Sequence, residues 1–402
     1  MTDVTRTATR RIVPLYMLFV FLSNFTTVMC FLTLFLSETG FSVGTISLGI
    51  LVYHGCKFVL EVPSELMSDR FGHKAVGMLG IVLMDGYYVA LLLARDFPGL
   101  VLAFVLQGFG VSCFSGSFEA IYLANVEPSR LVRLNSIEQA TFFASYGLSA
   151  LLGGLLAQAG AFDVSLAVDI AAACLTMLAC VWFPRDAYGG GAAGSPDGAR
   201  VRGWGGARGF LRALAGSPLL CRLLLMDLSQ ALFYVGFEDF YSLVLDSDGL
   251  PATWTGISFA AELALSVAVV LLVPWLSSRT GERGLFVGSF VARAALTLLF
   301  LLPGMRAWAL PLLYVSQSVV YCLGSPLRRK VFQRCLPEGY RAATLSAQSQ
   351  AISLGAIVFS ALSGLLSARI GLWGVLLVAF VAYAVVYGRC TAYLCSHWGD
   401  EG

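Results

Sequence analysis

Runs of roughly 20 apolar residues recur about twelve times along this chain, set apart by short charged or Gly/Pro breaks. No other feature restricts its folding as much. A bilayer offers the backbone no water, so every spanning segment must close its hydrogen bonds within a helix or a barrel. A barrel would show segments of about ten residues alternating in polarity. These runs are continuous and rich in Leu, Ala and Gly, which selects helices. The expected crossings are 12–36, 42–66, 75–94, 98–124, 135–160 and 163–183, then 219–245, 251–277, 284–302, 306–327, 341–367 and 371–395. A composition of 58% hydrophobic and 12% charged residues is that of an all-α integral membrane protein rather than a solvated globule. The first run follows Arg10 and Arg11, as in a signal peptide, but SETGF after it offers no small-residue cleavage site, so it is read as a retained crossing.

Basic residues set the orientation, because Lys and Arg accumulate in cytoplasmic segments. With a cytoplasmic N-terminus, 21 of the 26 fall inside. Three (Arg95, Arg306, Arg369) fall outside, and Lys57 and Arg293 lie within crossings. Both termini are therefore expected in the cytoplasm of a multi-pass cell-membrane protein. The net charge of +2 is a topology signal and implies no nucleic-acid partner. The ten cysteines are mostly single and within crossings, without metal-ligand spacing, and read as packing residues.

Between Pro184 and Ser217 the composition turns to Gly, Ala, Arg and Ser, which cannot bury enough apolar surface to fold alone. This reads as a cytoplasmic linker, 186–217, between a six-helix bundle at 1–185 and a second at 218–402. Its end, WGGARGFLRALAG, is either plain linker or a short amphipathic helix with Arg208 and Arg212 towards lipid phosphates. The halves repeat: a shift of 211 residues lays Leu134–Gly160 on Leu345–Gly371 with ten of 27 positions identical, among them Gln139 with Gln350, Gly153 with Gly364 and Gly160 with Gly371. The charged turn SDRFGHK, Ser68 to Lys74, is echoed by SSRTGERG from Ser277. Paired six-helix halves with a charged turn between their second and third crossings form the pattern of alternating-access carriers.

At these residues the chain resembles the major facilitator superfamily, whose turn between helices 2 and 3 reads GxLxDRxGRK. Asp69, Arg70, Gly72 and Lys74 keep its DRxGxK core, while Glu65 replaces the leading Gly. The resemblance implies a latch, in which Asp69 lies near a helix N-terminus and basic side chains on the cytoplasmic side. A merely solvated basic turn is the plainer alternative. Two other family motifs are partial: Phe104, Gln107, Gly108 and Gly110 keep the polar and glycine part of RxxQGxG without its arginine, and Ser149 and Ala150 precede Gly153 and Gly154 where the antiporter motif has GPxxGG. Gly153 and Gly154 are still expected to pack helices closely.

An ionisable residue at mid-membrane costs roughly 2.5–3.5 kcal/mol or more, so each needs a partner, a cavity or a function. Lys57 and Asp85 lie at matching depths on crossings 2 and 3, and Glu262 and Arg293 on crossings 8 and 9. They are expected as two pseudo-symmetric ion pairs, with Glu61 competing for Lys57. The resemblance implies a cavity lined by helices 1, 4, 7 and 10, which makes Asn24, Glu119, Asp227, Gln230 and Glu238 its candidates, with Glu138 and Gln139 close by. Asp227 is the first candidate for a carboxylate that carries a proton and Glu119 the second. Phe25, Phe142, Phe143, Phe233, Tyr234 and Tyr314 are candidate walls for an apolar or aromatic substrate.

The sequence holds no phosphate-binding GxxxxGK[ST], no metal-ligand cluster and no nucleophile signature, so neither an enzyme nor an ATP-driven pump is expected, and no cofactor. The expectation is a secondary transporter, working as a monomer among membrane lipids, that exports small hydrophobic molecules against inward protons. Uptake by symport is the second reading, and a non-transporting receptor on a carrier scaffold the third.

Overall fold

A computed structural model of the chain describes residues 3–115, 117–126, 131–184, 212, 214–302, 304, 307–335 and 341–397. The linker and most of its candidate amphipathic helix lie outside the described residues. Fourteen α-helices follow in order: α1 (Asp3–Ser23), α2 (Leu32–Glu38), α3 (Val43–Phe71), α4 (His73–Leu93), α5 (Phe97–Phe114), α6 (Ser117–Asn125), α7 (Leu131–Gln158) and α8 (Phe162–Val181). Then come α9 (Pro218–Asp239), α10 (Tyr241–Ser247), α11 (Thr253–Thr280), α12 (Glu282–Leu301), α13 (Ala309–Arg334) and α14 (Arg341–Ser396). No strand occurs among the described residues.

Ten of the described helical stretches are long and apolar enough to cross a membrane. The last is two helices, α14 being broken at Gly371, whose φ is 70°. The first expected crossing is also interrupted: α1 stops at Ser23, and the path resumes in a 3-10 turn, Met29–Phe31, that leads into α2. These account for the twelve expected crossings.

The chain divides into two compact units, Met1–Gly191 with Pro251–Ala260, and Ala192–Leu250 with Ala261–Gly402. In the first, α4 packs on α5 and α8, α3 packs on α5, and α1 packs on α7 and α8. In the second, α9 packs on α14 and α12 on α13. The internal repeat is written into the backbone. Gly40 and Gly249, Gly72 and Gly281, and Gly160 and Gly371 all have positive φ, a conformation without steric cost only for glycine. Members of the first two pairs lie 209 residues apart and those of the third 211. Helix prolines repeat as well, Pro63 in α3 and Pro274 in α11 standing 211 residues apart.

Candidate functional site

Breaking a helix inside a membrane leaves backbone groups that water cannot satisfy. The gap between α1 and the Met29–Phe31 turn meets this demand with side chains. Asn24 Nδ2 donates to the Val20 carbonyl at 2.8 Å, closing the end of α1. The backbone N–H groups of Thr27 and Val28 donate to the two oxygens of the Asp169 carboxylate at 2.6 and 3.0 Å. Thr27 Oγ1 donates to Asp169 as well, at 2.8 Å, with the Ser165 carbonyl at 3.1 Å. Asp169, on α8, is 1% exposed, so this is a buried anion held by three donors. Gly153 of α7 packs on the Thr27 carbonyl where a Cβ would collide with it, so its expected role in helix packing falls at this break. Gly154 lies against Thr253 and Gly256 of the 251–260 segment that belongs to the same unit.

Beside the break is a cavity of ≈ 270 Å³ within the first unit. Its wall includes Asn24, Phe25, Met29, Tyr53, Met84 and Gln107. Of the six candidate wall residues, Phe25 and Phe142 line this cavity, and Tyr146 stacks on Phe142. Gln107 is 2% exposed; its Nε2 reaches Met29 Sδ at 3.9 Å and its Oε1 has no hydrogen-bond partner.

The corresponding place in the second unit is charged. Shifts of 209 and 211 residues carry Tyr53 to Glu262, Met84 to Arg293 and Gln107 to Ser318. Arg293 lies between the rings of Tyr234 and Tyr321, 3.2 and 4.2 Å from their centroids, and its Nε donates to Gln317 Oε1 at 3.1 Å. Gln317 Nε2 donates to Ser318 Oγ at 2.7 Å, and the side chains of Ser318 and Tyr314 are hydrogen-bonding neighbours of the Glu262 carboxylate. The expected Glu262–Arg293 ion pair is thus replaced by a chain through Gln317 and Ser318. Glu238 interacts with the same guanidinium from the end of α9.

The Lys57–Asp85 pair is not formed either. Lys57 lies near His54, one turn along its own helix, and Asp85 Oδ1 is buried without a hydrogen-bond partner. The positions matching Glu262 and Arg293 are Tyr53 and Met84, so Lys57 stands about one turn along α3, and Asp85 one residue along α4, from the match. Asp227, expected without a cation, forms an ion pair with Arg328 and accepts a hydrogen bond from Gln348 Nε2 at 2.9 Å. Crossing 10 was expected to end at residue 327, whereas α13 continues to Arg334 and brings Arg328 to Asp227. The first unit holds a counterpart without a cation 211 residues earlier, where Tyr16 donates to Glu138 Oε1 at 2.9 Å and stacks on Tyr122 at 4.0 Å. Glu119 is exposed and within electrostatic reach of Glu138; Gln139 is exposed; Gln230 Oε1 is buried without a partner.

In the basic turn, Gly72 has φ 91° and ends α3, Arg70 lies over the Phe71 ring, and Lys74 Nζ donates to the carbonyls of Val181 and Phe183 at 2.7 and 2.6 Å. Those carbonyls close α8, where a cation also favours the negative end of the helix. The Asp69 side chain lies outside the described residues. Among the sites named here, Asp169, Arg328, Gln317 and Gln348 were not singled out from the sequence. A lone Asp at the centre of an apolar run was the available signal for Asp169.

A family model described as Major Facilitator Superfamily matches residues 15–358. Among solved structures, a mutant of the nucleoside transporter NupG superposes with TM-score 0.76 at 15% identity, covering 95% of this chain and 99% of that one. A bacterial homologue of the iron transporter ferroportin in its inward-facing state gives 0.69 at 15%, covering 98% and 100%. A D-xylose-proton symporter gives 0.69 at 13%, covering 99% and 97%. At these identities the likeness is one of fold. No curated protein matches the sequence.

Proposed function

The chain belongs to the major facilitator superfamily, and on that premise we propose that it moves small organic molecules across the cell membrane by alternating access, coupled to protons through the carboxylates that balance Arg293. The observation that carries this reading is the chain Glu262–Ser318–Gln317–Arg293. An arginine within a membrane crossing, joined to a carboxylate only through neutral amide and hydroxyl groups, has its charge balanced at a distance. Adding a proton to Glu262 or Glu238 removes that balance and favours a different arrangement of the second bundle, which is what coupling requires. Efflux of hydrophobic compounds is the leading direction, supported by the aromatic lining of the first unit's cavity. Proton-driven uptake is the second reading, favoured by the likeness to a D-xylose-proton symporter. Both termini face the cytoplasm in either case, and the protein works as a monomer.

The test is a proteoliposome assay with an imposed pH gradient, screening lipophilic cations, neutral drugs and small metabolites. Glu262→Gln is expected to leave substrate exchange while abolishing its acceleration by the gradient. Asp227→Asn, in which Arg328 loses its partner, is expected to slow exchange with and without the gradient alike. Equal gradient dependence in wild type and Glu262→Gln removes the proposed coupling site.

A further inference from the structure

The first unit's cavity holds one feature that its own side chains leave unanswered. Gln107 is 2% exposed and lines the cavity, and nothing donates to its buried Oε1. A buried acceptor without a partner carries its full desolvation cost, which a bound donor would relieve. The rest of the wall limits what that donor can belong to. Asp169 is the sole carboxylate in the lining, and both its oxygens are engaged by the Thr27 and Val28 backbone. Among the described residues no lysine, arginine or histidine contributes to the lining. An anionic solute would therefore find no counter-ion, at a cost of several kcal/mol or more in such surroundings, and a cationic one would meet only a carboxylate already held by three donors. The walls include rings and thioethers, Phe142, Tyr146, Tyr53, Tyr88, Met29 and Met84, which favour a flat, polarisable surface. A volume of ≈ 270 Å³ lies just below the range of about 300–1,000 Å³ typical of drug-sized ligand sites, and suits a bicyclic heterocycle better than a large drug.

We infer that this cavity, lined by α1, α3, α4, α5, α7 and α8, binds a small, uncharged, aromatic heterocycle through an N–H or O–H donor that the Gln107 carbonyl oxygen accepts. As a statement of what the transporter carries, the inference rests on the reading above. As a statement of binding, it stands alone. Selectivity comes from the Gln107 acceptor: a molecule of the same shape with its donor methylated leaves Oε1 unsatisfied and loses about tenfold in affinity.

The experiment titrates benzimidazole and 1-methylbenzimidazole into the full chain in lipid nanodiscs at about pH 7.5, where both compounds are neutral, by calorimetry against empty nanodiscs. Wild type is expected to prefer benzimidazole about tenfold. Gln107→Leu, which keeps the bulk and removes the acceptor, is expected to bring the ratio near one. Ala172→Leu, which fills the cavity from α8, is expected to lose both ligands. Equal affinities in wild type, an unchanged ratio in Gln107→Leu, unaltered binding in Ala172→Leu, or no binding of either compound at millimolar concentration each overturn the inference. If Gln107→Leu does not yield folded protein, wild type and Ala172→Leu decide it. The assay reads no flux, so absent binding beside intact gradient-driven transport sinks the site alone, and binding by a protein that transports nothing sinks the carrier reading alone.

Discussion

The two halves share one backbone plan and spend their polar groups differently. In the first, a buried carboxylate, Asp169, holds open a break in the first crossing, and the neighbouring space is a cavity with no basic side chain among its described lining residues. In the second, the position 211 residues after Asp169 is Phe380, which packs edge-on against Phe233. There the matching space is taken by Arg293, Gln317, Ser318 and Glu262. The contact between first and fifth crossings is likewise a phenol–carboxylate hydrogen bond in one half and, in the other, an amide donating to a carboxylate that also pairs with Arg328 of the fourth crossing. Repetition thus supplies frame and packing, while substitutions at a few matched positions separate an aromatic-lined chamber from a charged relay. This comparison can be broken in four places.

Asp169→Ala should have the largest effect. It strands the N–H groups of Thr27 and Val28 inside the bundle, and a loss of about 4 kcal/mol is expected from charge-assisted bonds worth about 1.5–3 kcal/mol each. Detergent-solubilised protein should unfold at a markedly lower temperature, with Asp169→Asn intermediate; an unchanged midpoint would mean that the break is held by something else. Met84→Arg copies the second half's cation into the first without its amide and hydroxyl chain. About 3 kcal/mol of destabilisation is expected from a mid-membrane cation, visible as reduced membrane insertion or stability, and a neutral outcome would show the cavity to be more accommodating than its lining suggests.

The two first-to-fifth contacts should rank next. Gln348→Leu removes a donor from the ion-paired Asp227 and should cost about 1.5 kcal/mol, whereas Tyr16→Phe removes one hydrogen bond to Glu138 and should cost about 1 kcal/mol. Chemical denaturation of both variants in the same micelles tests the order; the reverse order would deny that charge makes the second contact the stronger. Glu282→Gln should matter least. Its bond to Lys330 Nζ at 2.6 Å joins two half-exposed side chains, and such pairs contribute about 0–1 kcal/mol. A loss above that range, measured by the same denaturation, would place this pair in a structural role that its exposure does not suggest.

Much of the frame was legible along the chain. The apolar runs, the duplicated Leu134–Gly160 stretch and the echoed turn at Gly72 and Gly281 all reappear as helices and matching backbone angles. Site residues were read less well. Asn24 and Gly153 were picked out as polar and small residues, and both turn out to serve the same helix break. Lys57 with Asp85 and Glu262 with Arg293 were paired by depth alone, and neither pair meets.

By itself the sequence determined that this chain is a helical membrane protein built from two repeated bundles with glycines at the matching turns. Hydropathy, period and steric tolerance are properties of a residue and its near neighbours, so they can be read along one dimension. Only the tertiary structure decided that α1 breaks after Ser23, that Asp169 supplies the acceptors the break requires, and that Arg293 reaches Glu262 through two intermediaries. Those outcomes depend on how each helix is rotated about its axis, where one residue is about 100° and one turn about 5.4 Å, while a hydrogen bond tolerates only a few tenths of an ångström.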